Sequence, residues 1–346
     1  MKFCVDSDYL IRCFREIVAA PSPSEYYVRL NPVLKRYAEE LGCEMTFDRR
    51  NNAYITLDGE DNSKPVLFTA HADTVGLMVR CIDGNGAIRI RHIGGINLAT
   101  LDGETVTVHT RSGKDYTGVF LCQAYSTHVF ADALTMERND QTMMILLDER
   151  VKSKAEVEAL GIRPGDFVSI EPRCQVTENG YIKSRFIDDR GAIACCFSAI
   201  KYLKENGLRP KYKTIFHFPY TEEVGMGASY IPEEVSEVIS IDIGLIGPEL
   251  DGNEFSVSIC AKDALQIYDY DITTRLVEYA KKAECDYAVD VYFRYGSDVR
   301  SAILSGHDVK GGLFGMAVYG SHGMERTHID GLLNTTNLLL AYTLDI

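Results

Sequence analysis

The chain has 346 residues, 46% of them apolar and 25% charged. That is length for roughly two domains and a composition that excludes intrinsic disorder. Acidic residues outnumber basic ones 50 to 36, for a formal charge of −14, so neither nucleic acid nor an anionic membrane surface is an expected partner.

In chain order, Asp6 or Ser7 caps a first helix whose Leu10, Ile11, Phe14 and Ile17 form one apolar stripe, until Pro21 and Pro23 break it. Ser24 starts a second helix that Gly42 ends. Residues 45–58 alternate about Asn51-Asn52, a hairpin signal. Residues 65–70 (PVLFTA) are a continuous apolar run with polar residues straight after, as in a buried strand whose C-terminal end opens onto a site. From about Gly76 to Pro172, short alternating segments separated by turn glycines predict a small β-barrel or sandwich, with one helix from Lys154 to Leu160. Past Asp188 come a helix from Arg190 to about Glu205, strands at 214–218 and 238–243, helices near 272–284 and 297–304, a strand near 313–318 and a closing helix. This alternation predicts an α/β fold, a mixed or parallel central sheet flanked by helices. The expected domains are a discontinuous catalytic unit, 1–75 with 177–346, and an inserted β-barrel-like unit over 76–176.

Ten cysteines without a C-x-x-C pair read as reduced thiols of a cytoplasmic protein and argue against cysteine-ligated zinc. The first ten residues lack the apolar stretch of a signal peptide, and no run reaches the ~18 apolar residues of a membrane span.

Several features place metal-ligating residue types at the ends of apolar strands. His71-Ala72-Asp73 follows the strand that ends at Ala70; residues i and i+2 of an extended chain project together, and a metal-bound His commonly leans on a nearby carboxylate. Two solvated loop residues would look the same. Asp188-Asp189-Arg190 precedes an apolar helix, and for this segment alone a helix cap explains the acids. Thr221-Glu222-Glu223-Val224-Gly225 follows another buried strand. Neighbouring carboxylates there can divide their labour, one binding metal and one moving a proton, although a Glu-Glu pair is equally a surface feature. Asp242 ends the strand Ile239-Ser240-Ile241, and a buried Asp needs an ionic partner or a metal; a solvated strand end fits as well. His322 and His328 precede the closing helix, and either reads as an ordinary loop histidine. Taken together, His71, Asp188, Glu223, Asp242 and His322 make a set of two histidines and three carboxylates. With one carboxylate bridging, they can hold two divalent cations about 3.5 Å apart around one hydroxide. Nitrogen and oxygen ligands without thiolate suit Zn²⁺, Co²⁺ or Mn²⁺.

At these residues the sequence resembles the glutamyl (tetrahedral) aminopeptidase family of dinuclear co-catalytic metallopeptidases. HADTVGLMV, the GG of HIGGIN, LGIRPGDFV, FIDDRGA, TEEVG, SIDIG and SHGMERTH fall in the family's order. The resemblance implies His71 as a ligand of one metal with Asp73 orienting it, Asp188 bridging, and Glu222 as general base. It also implies Glu223 and Asp242 as ligands of opposite metals and His322, rather than His328, closing the second site. It further implies removal of N-terminal residues from short peptides and self-association, often as a dodecamer joined through the β unit. The sequence departs from the family pattern at Thr74, Thr127-His128, Gly296-Ser297-Asp298 and His322-Gly323-Met324, positions around the expected substrate cleft. Two other readings are a deacylase of N-acyl amino acids using the same metals and a non-catalytic scaffold of the same fold.

Overall fold

The protein is described by a computed structural model covering residues 2–346. The helix Ser7–Val18 is capped by the Asp6 side chain, which accepts from the Tyr9 amide, and it buries Leu10, Cys13, Phe14 and Ile17 as one stripe. That face packs on the long helix Ile187–Glu205, buried on nearly all sides, which packs in turn on Ile329–Leu344.

The central sheet runs Met45–Phe47, Ala53–Leu57, Tyr212–Phe218, Asp61–Thr69, Glu237–Ile241, Lys310–Val318, Val257–Lys262, Tyr287–Val291, with Gly244–Leu245 added beside Lys310–Val318. The four strands from Tyr212–Phe218 to Lys310–Val318 are mutually parallel, so their C-terminal ends lie along one edge of the sheet. In an open α/β sheet that edge is where ligands bind. Antiparallel pairings at Ala53–Leu57 and Val257–Lys262 make the sheet mixed.

The strands Gly76–Ile82, Ile88–Ile93, Glu104–His109, Asp115–Cys122, Met143–Leu147 and Phe167–Ile170 close an antiparallel barrel. A three-stranded sheet (Gln175–Val176, Tyr181–Ser184, Glu325–His328) lies beyond it in the chain. Among the described residues no helix is long and apolar enough to cross a membrane.

Three local expectations give way. The second helix spans only Asn31–Glu40, because Ser24 is drawn off to donate its backbone amide to the Thr74 carbonyl at 3.2 Å. The helix expected at Arg190 begins at Ile187, and Asp188 and Asp189 depart from helical geometry within it. The strands Val257–Lys262 and Tyr287–Val291 were not expected. Their polar members, Ser258 and Asp290, are buried against each other at 2.9 Å, which spoils the apolar pattern that advertises a core strand.

Candidate metal centre

Each parallel strand delivers one piece of the centre. His71 lies two residues beyond Asp61–Thr69, Glu222 and Glu223 shortly beyond Tyr212–Phe218, and Asp242 directly after Glu237–Ile241. His322 follows Lys310–Val318, and Asp188 enters from the start of Ile187–Glu205. The backbone of Gly315 passes so close to Asp242 that a Cβ there would lie 1.9 Å from the Asp242 carbonyl oxygen. Only glycine allows that approach.

The two histidines are arranged alike. His71 Nδ1 faces the Asp73 carbonyl at 3.0 Å, and its Nε2 stands 2.9 Å from Asp188 Oδ1. His322 Nδ1 faces the Gly95 carbonyl at 3.0 Å, and its Nε2 lies 3.6 Å from Asp188 Oδ2 and 3.3 Å from Glu223 Oε2. A backbone acceptor on Nδ1 fixes the tautomer that leaves Nε2 a free ligand. The two Nε2 atoms thus face opposite oxygens of one carboxylate. His328 is elsewhere: its Nε2 meets the Asn179 carbonyl at 2.7 Å and its Nδ1 accepts from the Asp330 amide, capping the last helix.

Asp188, Asp189 and Asp242 are buried and Glu222 and Glu223 nearly so, yet among the described residues no lysine or arginine forms an ion pair with any of the five. Burial pushes the Glu223 carboxyl up to about 8 and that of Asp242 to about 7. Glu222 and Asp189 are driven well above the usual carboxylate range, again chiefly by burial. Burial works the same way on Asp188, but its bonds to His322 and His71 win and hold it below that range. Burial alone would lower His322; the surrounding carboxylates lift it instead to about 10. So large an excess of buried negative charge calls for cations. Both Asp189 carboxylate oxygens are buried, and among the described residues neither has a hydrogen-bond partner. Ligand atoms of His71, Asp188 and Glu223 lie within 4.8 Å of one another, as do those of His71, Asp189 and Asp242. The donor set fits divalent cations.

Two buried carboxylates organise these groups from behind. Asp73 accepts the Glu222 amide at 3.1 Å, the Glu223 amide at 3.2 Å and the Ser24 hydroxyl at 2.5 Å. Glu325 accepts the Asp188 amide at 3.0 Å and the His322 amide at 3.3 Å. On the far side, Asp298 accepts from the Thr69 hydroxyl at 2.7 Å and the Ala228 amide at 3.0 Å. It thereby ties the strand before His71 to the loop after Glu223. The sequence alone assigned no site role to Asp189, Glu325 or Ser24, and offered Asp298 only within a divergent stretch around the cleft. Asp189 was visible as half of an Asp-Asp pair, which a helix cap explained; in the fold its side chain makes no cap bond.

Asp188, Glu222, Glu223, Asp242 and His322 open into a cleft of about 580 Å³ that is also lined by Leu265, Arg294, Tyr295 and Arg300. The barrel reaches the cleft through Gly95 and Asn97.

An α/β sheet with these strand ends, a barrel hung from its edge and a cluster of buried acids around two histidines defines a peptide hydrolase. The chain belongs to the M42 glutamyl aminopeptidase family, which it matches over residues 51–338. It is 40% identical to YhfE of Bacillus subtilis (strain 168), a protein named as an aminopeptidase, over 95% of both chains. Among solved structures it resembles the Pyrococcus horikoshii TET1 peptidase (TM-score 0.85, 25% identity, covering 97% of this chain and 100% of that one). It also shares the fold of an aminopeptidase from Desulfurococcus kamchatkensis (TM-score 0.88, 22% identity, 98% and 96% covered). Neither the deacylase nor the scaffold reading is favoured by these likenesses.

Proposed function

We propose that the chain is a metal-dependent aminopeptidase that removes N-terminal residues from short peptides, with two divalent cations held by His71, Asp188, Glu223, Asp242 and His322. Asp188 would be held in common, Asp242 and Glu223 would serve opposite cations, and Asp189 would offer a further oxygen beside His71 and Asp242. The observation that carries this reading is the opposed aim of His71 Nε2 and His322 Nε2 at the two oxygens of Asp188. Ligation by nitrogen and oxygen suits Zn²⁺, with Co²⁺ and Mn²⁺ as substitutes. Cations bound there would acidify the attacking water and polarise the scissile carbonyl.

The protein's own groups do the rest. Glu222, which lines the cleft, takes a proton from the attacking water as its oxygen bonds to the carbonyl carbon. It returns that proton to the leaving amine as the C–N bond breaks. Asp73 holds the Glu222 backbone while this happens. The likeness to proteins named as aminopeptidases favours a peptide with a free N-terminus over an N-acyl amino acid. A metal-supplemented panel of aminoacyl-anilides and N-acyl amino acids tests this: anilide cleavage is expected, and turnover confined to the N-acyl compounds contradicts it. Less than about one bound equivalent of Zn²⁺, Co²⁺ or Mn²⁺ supports the scaffold instead, since this catalysis requires metal.

The Pyrococcus horikoshii relative assembles into a tetrahedron or a large octahedral shell, and we propose a homo-oligomer here too, a dodecamer whose barrels supply contacts. Light scattering tests it, and a monomer contradicts it. None of the ten cysteines is in a disulfide, in keeping with a cytoplasmic location.

A further inference from the structure

We infer that Glu325 is a positioning residue for this centre, one carboxylate that clips the turn carrying His322 to the helix start carrying Asp188. The inference rests on the reading above, in which those two side chains are ligands.

Glu325 is 2% exposed, and among the described residues no lysine or arginine pairs with it. A buried carboxylate whose hydrogen bonds come only from amides is expensive to keep. An apolar side chain there would leave amides unpaired, but a neutral acceptor would pair them without burying a charge, so stability alone gives little reason for an acid here. What the carboxylate does is specific. Its Oε2 takes the amide of Asp188 and its Oε1 the amide of His322, residues 137 and 3 positions away.

The backbone it holds is not one that holds itself. His322 has a left-handed φ of 61°, an uncommon conformation for a residue with a side chain, which persists where its surroundings enforce it. The enforcement is visible on each side of the residue. Its amide is bonded to Glu325, its carbonyl accepts the Asn97 amide at 3.1 Å, and its ring leans on the Gly95 carbonyl. Glu325 is itself anchored, because Ser184 and Glu325 are register partners in the strand pair just ahead of Asp188. One side chain therefore sets both ends of the Asp188–His322 approach. With both ligands preset, a cation need not order them on binding; freed, they lower its affinity.

Two variants test this by metal affinity rather than by turnover. Glu325→Gln loses one of the two acceptors; Glu325→Asp keeps the charge but shortens the reach. Metal-free wild type and both variants are titrated with Zn²⁺ against a chromogenic chelator, and their metal-free melting temperatures are compared. Both variants are expected to bind Zn²⁺ about ten- to a hundredfold more weakly than wild type, with metal-free melting lowered by only the few degrees that an unpaired amide costs. Wild-type affinity in Glu325→Asp would mean that charge, not position, matters, and overturns the inference; so does wild-type affinity in Glu325→Gln. If Glu325→Gln does not fold, Glu325→Asp decides alone. Wild type that binds no Zn²⁺ overturns the reading of the centre and this inference with it. Wild type that binds two equivalents beside unaffected variants overturns the role of Glu325 only.

Discussion

The amide of Glu222 donates to the carboxylate of Asp73 at 3.1 Å, so the residue two places past His71 fixes the backbone of the proposed proton carrier. Asp73 is fully buried and takes the Glu223 amide and the Ser24 hydroxyl as well. An acid that the sequence offered as an orienter of one histidine thus also sets the backbone of the proposed general base and its neighbour.

Glu222→Gln follows directly. The amide cannot take a proton from water, yet Glu222 is outside the ligand set, so bound metal should match wild type while kcat falls about 10²- to 10⁴-fold. Steady-state kinetics beside elemental analysis checks both halves. Turnover near wild type would remove Glu222 from its role.

Chelation followed by dialysis should abolish hydrolysis, and Zn²⁺, Co²⁺ or Mn²⁺ should restore it. Because the cations bind only the folded chain, a hundredfold excess over Kd should add about 2.7 kcal/mol to stability for each cation bound. Calorimetry with and without metal reads this as a rise in melting temperature. Activity that survives complete metal removal contradicts the account.

Gly315→Ala would drive a methyl group to 1.9 Å from the Asp242 carbonyl oxygen. That clash is with backbone and cannot be relieved by a side-chain rotation. It should cost ~1–3 kcal/mol by overpacking and shift Asp242, so metal content and urea midpoint should both drop. Unchanged values for both would mean that the two strands are not so close.

Much of this was legible in the sequence because strand ends announce themselves. The run 65–70 is apolar and His71 is not, and the same break recurs before Glu222 and at Asp242. The barrel was legible from short alternating segments between glycines. What stayed hidden depends on long-range pairing. Ser24 reads as a helix cap until the fold brings it against Asp73, 49 residues on. Glu325 stands between two candidate histidines in the sequence and gives no local sign that it reaches Asp188. Asp189 has a cap's sequence context and none of a cap's bonds. The strands Val257–Lys262 and Tyr287–Val291 were obscured by Ser258 and Asp290, buried polar partners that meet only in the folded sheet.

His217 supplies a test outside the centre. It is fully buried in the strand Tyr212–Phe218 and stacked on Tyr54 at 4.6 Å, and among the described residues neither ring nitrogen has a hydrogen-bond partner. Burial lowers its pKa to about 3, whereas in the unfolded chain it titrates near 6.5. Between those values the unfolded state binds the extra proton, so stability is retained above about pH 6.5 and lost on acidification toward pH 3, by about 1.4 kcal/mol per pH unit. His217→Leu removes that proton uptake, and its urea midpoint should fall less steeply between pH 6.5 and 4.5 than that of wild type. Parallel slopes would contradict the assignment.

The most direct test of the central claim is anomalous diffraction at the zinc edge from crystals of Zn²⁺-loaded protein. Two peaks are expected, one on each side of the Asp188 carboxylate, bounded by His71 and Asp242 on one side and by Glu223 and His322 on the other. No peak there, or peaks confined to other parts of the chain, would contradict the account.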